Sequence, residues 1–122
     1  MNAKDAHHKK TAQSGNELLR LFEALANPHR LKIIAALTQG RKYVSQLARE
    51  VNMSRPLLYM HLQKMEEAGL VTSSLELSED GKAMKYYAIV PFDIQITPEV
   101  IAGAIPTLTA TKKSNTLEED SQ

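Results

Sequence analysis

The stretch from Asn52 to Val71, NMSRPLLYMHLQKMEEAGLV, combines a helical apolar period with a proline near its start. Leu58, Leu62 and Met65 fall at i, i+4 and i+7, one face of a helix, and Gly69 marks its end. Proline has no N–H, and inside a helix its ring clashes with the carbonyl four residues back. Pro56 therefore fits this helix only in the first turn, where an N–H has no intrahelical partner anyway. Ser54 is a strong N-cap residue, so Arg55 becomes the first helical position and Pro56 the second. The start of the helix is fixed, with an arginine exposed at its tip.

Similar punctuation recurs along the chain. Residues 1–13 show no apolar period and are expected to form a mobile tail. Ser14 and Glu17 make a capping box, which predicts a first helix from about Gly15 to Ala26. Asn27 as N-cap and Pro28 at the first helical position open a second helix, which carries Leu31, Ile33, Ile34 and Leu37 and stops before Gly40. A third helix carries Val44, Leu47, Ala48 and Val51, and Asn52 after it tolerates the left-handed conformation of a tight turn. Beyond the fourth helix the pattern becomes extended. Leu70–Leu77 and Met84–Val90, with SEDGK between them, predict a hairpin. Thr97-Pro98-Glu99 opens a last helix holding Val100, Ile101, Ala104 and Ile105, which Pro106 should end or kink. From residue 111 to 122 the chain is polar and expected to be disordered. The organisation expected is one domain over residues 14–110 between two tails, which suits a chain of 122 residues.

Two short helices joined by a three- or four-residue turn make a helix-turn-helix, and a hairpin after the second is the wing of a winged helix. The fold expected is mainly α with a β-hairpin wing, in the order α-α-α-α-β-β-α. In such a fold the N-terminus of the second helix enters the major groove. Charge agrees. Net charge is only +1, but Pro28 to Met65 holds seven basic residues (Arg30, Lys32, Arg41, Lys42, Arg49, Arg55 and Lys64) against Glu50 alone. A basic segment in a near-neutral chain suits a polyanion. With no Cys, disulfides and thiolate chemistry are excluded. Neither a nucleophile–base pair nor a phosphate-binding glycine loop is visible, which argues against an enzyme. No apolar run approaches a membrane span, so a cytoplasmic location is expected.

The segments LFEALANPHRLKIIAAL, YVSQLAREVNMSRPLLYMHLQKMEEAGLV and DGKAMKYYAI resemble the ArsR/SmtB-type winged-helix repressors of bacteria and archaea. The resemblance covers roughly Leu18 to Val90. Leu25, Asn27, Pro28, Arg30, Ile33 and Ile34 match the family's second-helix segment. Ser54, Pro56, His61 and Leu62 match its Ser-x-Pro and His-Leu recognition helix, and Glu67 to Val71 its exit. Gly81, Lys82, Tyr86 and Tyr87 match the wing. The resemblance implies a homodimeric DNA-binding transcriptional regulator, usually a repressor, with the dimer built from the first and last helices. It also implies that His61 faces DNA phosphate. The family's cysteine pair is replaced by Tyr43 and Ser45, and the last helix offers Glu99 but no His. Both inherited metal sites are thus absent, and no metal or other cofactor is expected.

The DNA-contacting residues expected are Arg41 and Lys42, then Ser54, Arg55, Leu57, Tyr59, His61, Gln63 and Lys64 on the recognition helix, with Lys82 and Lys85 on the wing. Arg55 suits base edges, and Lys82 and Lys85 suit phosphate. Leu57, Tyr59 and Met60 stand where many family members carry small polar residues. Five large apolar residues in eight crowd the first helix (Leu18, Leu19, Leu21, Phe22 and Leu25). Leu18, Leu19 and Phe22, with Val100, Ile101 and Ile105, are the expected homodimer interface. The partners expected are double-stranded DNA, a partly palindromic operator, and a second copy of the chain, with no membrane. The competing readings are a winged-helix protein-interaction module and an architectural DNA-binding protein without strong sequence preference. The effector and the role of His7-His8 are not readable from the sequence; a mobile basic tail is the simplest use of the latter.

Overall fold

Local hydrogen bonds start four of the five helices seen among the described residues. A computed structural model of the chain describes residues 14–109, so the tails expected at 1–13 and 111–122, with His7-His8, lie outside the described residues. Ser14 and Glu17 close their capping box in both directions: the Ser14 N–H donates to Glu17 Oε1 at 3.0 Å, and the Glu17 N–H to Ser14 Oγ at 3.1 Å. Helix α1 follows at Gly15–Leu25 and α2 at Pro28–Leu37, where Asn27 Oδ1 accepts the His29 and Arg30 N–H groups. After a two-residue strand β1, Lys42–Tyr43, come α3 at Val44–Val51 and α4 at Arg55–Glu67. The Leu57 N–H donates to Ser54 Oγ, and the first helical N–H to bond back is that of Leu58, to Ser54 O at 2.9 Å. Pro56 therefore interrupts nothing. Strands β2, Val71–Leu77, and β3, Ala83–Ile89, form the hairpin. Helix α5, Pro98–Ala104, is capped by Thr97 and passes into a 3₁₀ turn, Ile105–Thr107, at Pro106.

The described residues form two compact units. In residues 23–91, α2, α3 and α4 pack with a three-stranded antiparallel sheet of order β1-β3-β2. Ile33 and Leu37 of α2, Leu47 of α3, and Leu58, Leu62 and Met65 of α4 are its fully buried side chains, with Leu70 and Val71. Burying each contributes about 1.5–3 kcal/mol relative to exposure. Asn52 turns the chain between α3 and α4 at φ 57°, as its side chain permits. Gly69 does the same after α4 at φ 78°, and the Leu70 N–H reaches back to Met65 O at 2.8 Å.

Two features depart from the sequence expectation. The wing is not a plain hairpin, because Lys42 and Tyr43 pair with Tyr87 and Tyr86 as a third strand. Leu31, counted with the apolar face of α2, is 52% exposed, because its position turns away from Ile33 and Leu37.

The second unit combines residues 14–22 and 92–109. The Gly15 N–H donates to Thr107 Oγ1 at 2.7 Å, and Asn16 exchanges two hydrogen bonds with Thr109. A Cβ added at Gly15 meets Ala104 O at 2.5 Å and Leu108 Cα at 2.9 Å, both of them backbone that cannot swing aside. At Gly103, also helical, an added Cβ meets nothing within 4 Å. Gly15→Ala should therefore destabilise the chain by about 1–3 kcal/mol through forced backbone displacement. Gly103→Ala should instead stabilise it by roughly 0.5–1 kcal/mol through helix propensity. Urea unfolding of both variants checks the opposite signs.

Candidate nucleic-acid interface

Helix α4 has a clear inside and outside. Leu58, His61, Leu62 and Met65 are buried, at the i, i+3, i+4, i+7 spacing of one helix face. The opposite side presents Arg55, Pro56, Tyr59, Met60, Gln63 and Lys64 to solvent. Leu57 lies half-buried at the edge between them. Arg55 sits in the first turn and makes no hydrogen bond or ion pair among the described residues. Gln63 Nε2 donates to Glu67 Oε2 at 3.4 Å, one turn on. Lys64 lies nine residues beyond Arg55, about 13 Å further along the helix axis.

The wing stands beside this helix. The Ser73 hydroxyl donates to Glu66 Oε2 at 2.9 Å, which ties β2 to α4. At the wing tip, Gly81 takes φ 86°, and the Lys82 N–H donates to Ser78 Oγ and Asp80 Oδ1. Hydrogen bonds from the Ser78 hydroxyl and the Lys82 N–H hold the Asp80 carboxyl below its ordinary range, so the tip keeps a negative charge. Lys82 and Lys85 are exposed, and Lys85 Nζ lies 5.6 Å from the centre of the Tyr87 ring. Tyr87 is buried, which raises its phenol above the usual value.

Three of the expected contact residues are placed differently from the sequence expectation. His61 is 3% exposed and lies on the buried face of α4 rather than its outward one. It shares the apolar face of α4, and its Nδ1 accepts a hydrogen bond from Arg30 Nε at 3.1 Å. Lys42 is also buried, with Nζ 3.4 Å from Glu50, because strand pairing turns it inward. Arg41 is on the surface but engaged: both its Nη atoms donate to the Glu76 carboxylate, and its guanidinium lies 4.0 Å over the Tyr86 ring. That bond lowers the Glu76 carboxyl and raises the Arg41 guanidinium. The Ser54 hydroxyl is occupied as the cap of α4 while remaining exposed. Arg30 was not among the expected functional residues, and its spacing from His61 in the chain gives no local signal of their contact.

The terminal elements also divide. Leu18 is buried within the single chain and belongs to its core rather than to an open surface. Leu19, Phe22 and Val100 are half-buried, whereas Ile101 and Ile105 are 40% and 54% exposed. Among the described residues, no three His, Asp or Glu side chains gather as a metal site, and no helix is long and apolar enough to cross a membrane.

A helix-turn-helix whose second helix exposes one whole face beside a β wing is the architecture of a DNA-binding transcriptional regulator. Comparison with known proteins agrees. The model of the arsR family of bacterial regulatory proteins matches residues 27–73. The chain is 40% identical over 85 residues to an HTH-type transcriptional regulator of Methanocaldococcus jannaschii, itself described as uncharacterized, covering 70% of this chain and 88% of that protein. It is 36% identical over 69 residues to the HTH-type transcriptional regulator CmtR of Mycobacterium tuberculosis, covering 57% of this chain and 55% of CmtR. It thus spans about half of that regulator. In fold it is similar to the solution structure of a homodimeric winged helix-turn-helix domain from Mycobacterium bovis, a possible ArsR-family regulator. The TM-score is 0.55 at 23% identity, over 98% of this chain and 93% of that one. The chain belongs to the arsR family, and it is a transcriptional regulator, not an enzyme.

The Arg41–Glu76 pair lies at the surface, and its carboxylate holds a guanidinium that a phosphate could otherwise take. Glu76→Gln should tighten binding to generic duplex DNA and steepen the log–log salt dependence by up to about 0.9, one released counterion. A salt titration of the variant against the parent measures this.

Proposed function

We propose that the chain represses transcription by reading a partly palindromic operator as a homodimer, with α4 in the major groove and the wing against the flanking backbone. The observation that carries this reading is the outward face of α4, where Arg55 stands in the first turn with no ion pair among the described residues. The first turn is the part of a recognition helix that reaches deepest into the groove. Free N–H groups and the helix dipole there favour phosphate, and a guanidinium pairs with guanine O6 and N7. Tyr59 and Gln63 follow on the same face and contact base edges or sugar. Lys64, Lys82 and Lys85 supply phosphate contacts. Buried Lys42 and His61 have no direct part.

The apolar side chains of the terminal elements support assembly. Exposed Ile101 and Ile105, with half-buried Leu19, Phe22 and Val100, form the interface with a second copy in this reading. The homodimeric Mycobacterium bovis domain supplies a precedent of the same fold. Two recognition helices related by a twofold axis then sit about 34 Å apart, one turn of B-DNA. Sedimentation should show a dimer at micromolar concentration; a monomer both alone and with operator removes this arrangement.

Arg55 and Lys64 separate sequence reading from simple charge. Arg55→Ala should weaken operator binding by roughly 1–3 kcal/mol and random-duplex binding by much less. Lys64→Ala should weaken both about equally and lower the salt slope by about 0.9. Titrating both variants on both DNAs across a salt range decides the matter. Equal losses on the two DNAs for Arg55→Ala would move base reading to Tyr59 or Gln63.

A further inference from the structure

Arg30, His29 and His61 form a polar cluster on the inner side of α4, away from its outward face. Arg30 Nε donates to His61 Nδ1 at 3.1 Å. Its Nη1 donates to Glu23 O at 3.2 Å and Ala24 O at 3.4 Å, in the last turn of α1. The His29 ring lies 5.3 Å from that of His61, and His29 Nδ1 is buried without a hydrogen-bond partner. One guanidinium thus ties the end of α1, α2 and the recognition helix together. The tie has a chemical condition. Neutral imidazole offers one acceptor nitrogen, whereas imidazolium has two N–H donors and no acceptor.

We propose that this cluster is an acid-sensitive latch on the recognition helix: a proton on His61 Nδ1 expels the Arg30 guanidinium, loosens α4 from α2, and weakens operator binding as pH falls. The proposal rests on the reading of α4 as the DNA-contacting helix. The charged or titratable groups that act on the His61 ring are Arg30 and His29, both from α2. From α1 come exposed Glu23 and the two carbonyls that Arg30 grips. The charged residues of the other packed elements, Arg49 and Glu50 on α3 and Glu76 on β2, are exposed. Glu50 and Glu76 are paired with Lys42 and Arg41. Among the described residues, no carboxylate therefore acts on the ring to stabilise an imidazolium. Burial first, then Arg30 and His29, hold His61 below its ordinary value. The neutral ring is thus favoured in the folded state. The stability it contributes is complete above the ordinary histidine value and is lost as pH falls through the lowered one.

The sign of the effect is diagnostic. A surface histidine touching phosphate is more readily protonated in the complex, so acid tightens its binding. A buried acceptor gives the reverse. The probe is a duplex selected from a random pool by the full-length protein at about pH 7.5, with the unselected pool as control. His61→Asn keeps an acceptor oxygen near the Nδ1 position and cannot titrate. On the selected duplex, acidification to about pH 5.5 should cost the parent roughly two- to fivefold more affinity than His61→Asn, as expected when the free and bound proteins differ by about one pKa unit. Parallel curves, or a parent that tightens with acid relative to the variant, would overturn the latch.

A second measurement needs neither DNA nor the variant. Nitrogen-detected NMR of the parent should find His61 Nδ1 unprotonated, with a midpoint below about 6.5 and the Arg30 Nε–H signal lost over the same range. An Nδ1–H tautomer, or an ordinary midpoint, also overturns the proposal. If no duplex is selected at any pH, the DNA reading of α4 fails, and the NMR result still shows whether the Arg30 tie opens with acid.

Discussion

The hydrogen bond from the Leu57 N–H to Ser54 Oγ fixes the first residue of α4, and the outward face of the helix follows from it. With Arg55 as the first position, the 3.6-residue period sends Leu58, His61, Leu62 and Met65 inward, and Arg55, Tyr59, Gln63 and Lys64 outward. Pro56 strengthens the arrangement from a different direction. Its fixed φ suits the first helical turn, and as the residue after Arg55 it lacks only an N–H that had no partner to lose. A start one residue later would rotate every side chain by about 100° and turn Tyr59, Gln63 and Glu66 toward the core. The buried stripe and the cap therefore specify the same register independently.

Charge counting along the sequence overstates what this surface offers to DNA. The excess of +6 between Pro28 and Met65 includes Lys42, which is buried beside Glu50, and Arg30, whose guanidinium serves His61 and two backbone carbonyls. Arg41 is bound to Glu76 from outside that stretch. The cations left open on the proposed face are few, and Asp80 keeps its negative charge at the wing tip. In the proposed reading, affinity from phosphate alone is then modest, and discrimination depends more on the few side chains that α4 would carry into the groove.

Capping and turn residues made most of the fold legible, because their physics is local. Ser14, Asn27, Ser54 and Thr97 each act within three residues of themselves. Asn52 takes the left-handed turn that its side chain tolerates. What escaped was non-local. Strand β1 has two residues, too few for any periodic signal, and exists only because Tyr86 and Tyr87 arrive from far along the chain. Lys42 is buried by that same pairing. His61 is a different case. Its spacing from Leu58, Leu62 and Met65 put it on the apolar face in plain view. The polar chemistry of the side chain and the family pattern suggested DNA instead, and the burial became intelligible only with Arg30 supplying its hydrogen bond. The resemblance to ArsR-type regulators was right about the fold, and at this one position the side chain is buried where the family pattern suggested an exposed one.

A base-reading helix tolerates little error in its placement, about half an ångström or 10–20° before bidentate contacts degrade. Apolar packing alone holds a helix against sliding less sharply than a directional hydrogen bond does, because Leu58, Leu62 and Met65 present nearly uniform surfaces to their neighbours. The Arg30–His61 bond is directional, and it lies on the opposite side of the helix axis from Tyr59 and Gln63. The bond is part-buried and its acceptor ring is buried, so a displacement of α4 that breaks it leaves the His61 nitrogen unsatisfied away from water, at about 1–3 kcal/mol. In the proposed reading the outer face exchanges its water for DNA and is tuned by salt, whereas the part-buried inner pair is screened less and responds to what changes its hydrogen bond. On that reading affinity and aim are set on different faces of one helix by interactions with different sensitivities, and a regulator built this way can lose its aim without losing its charge.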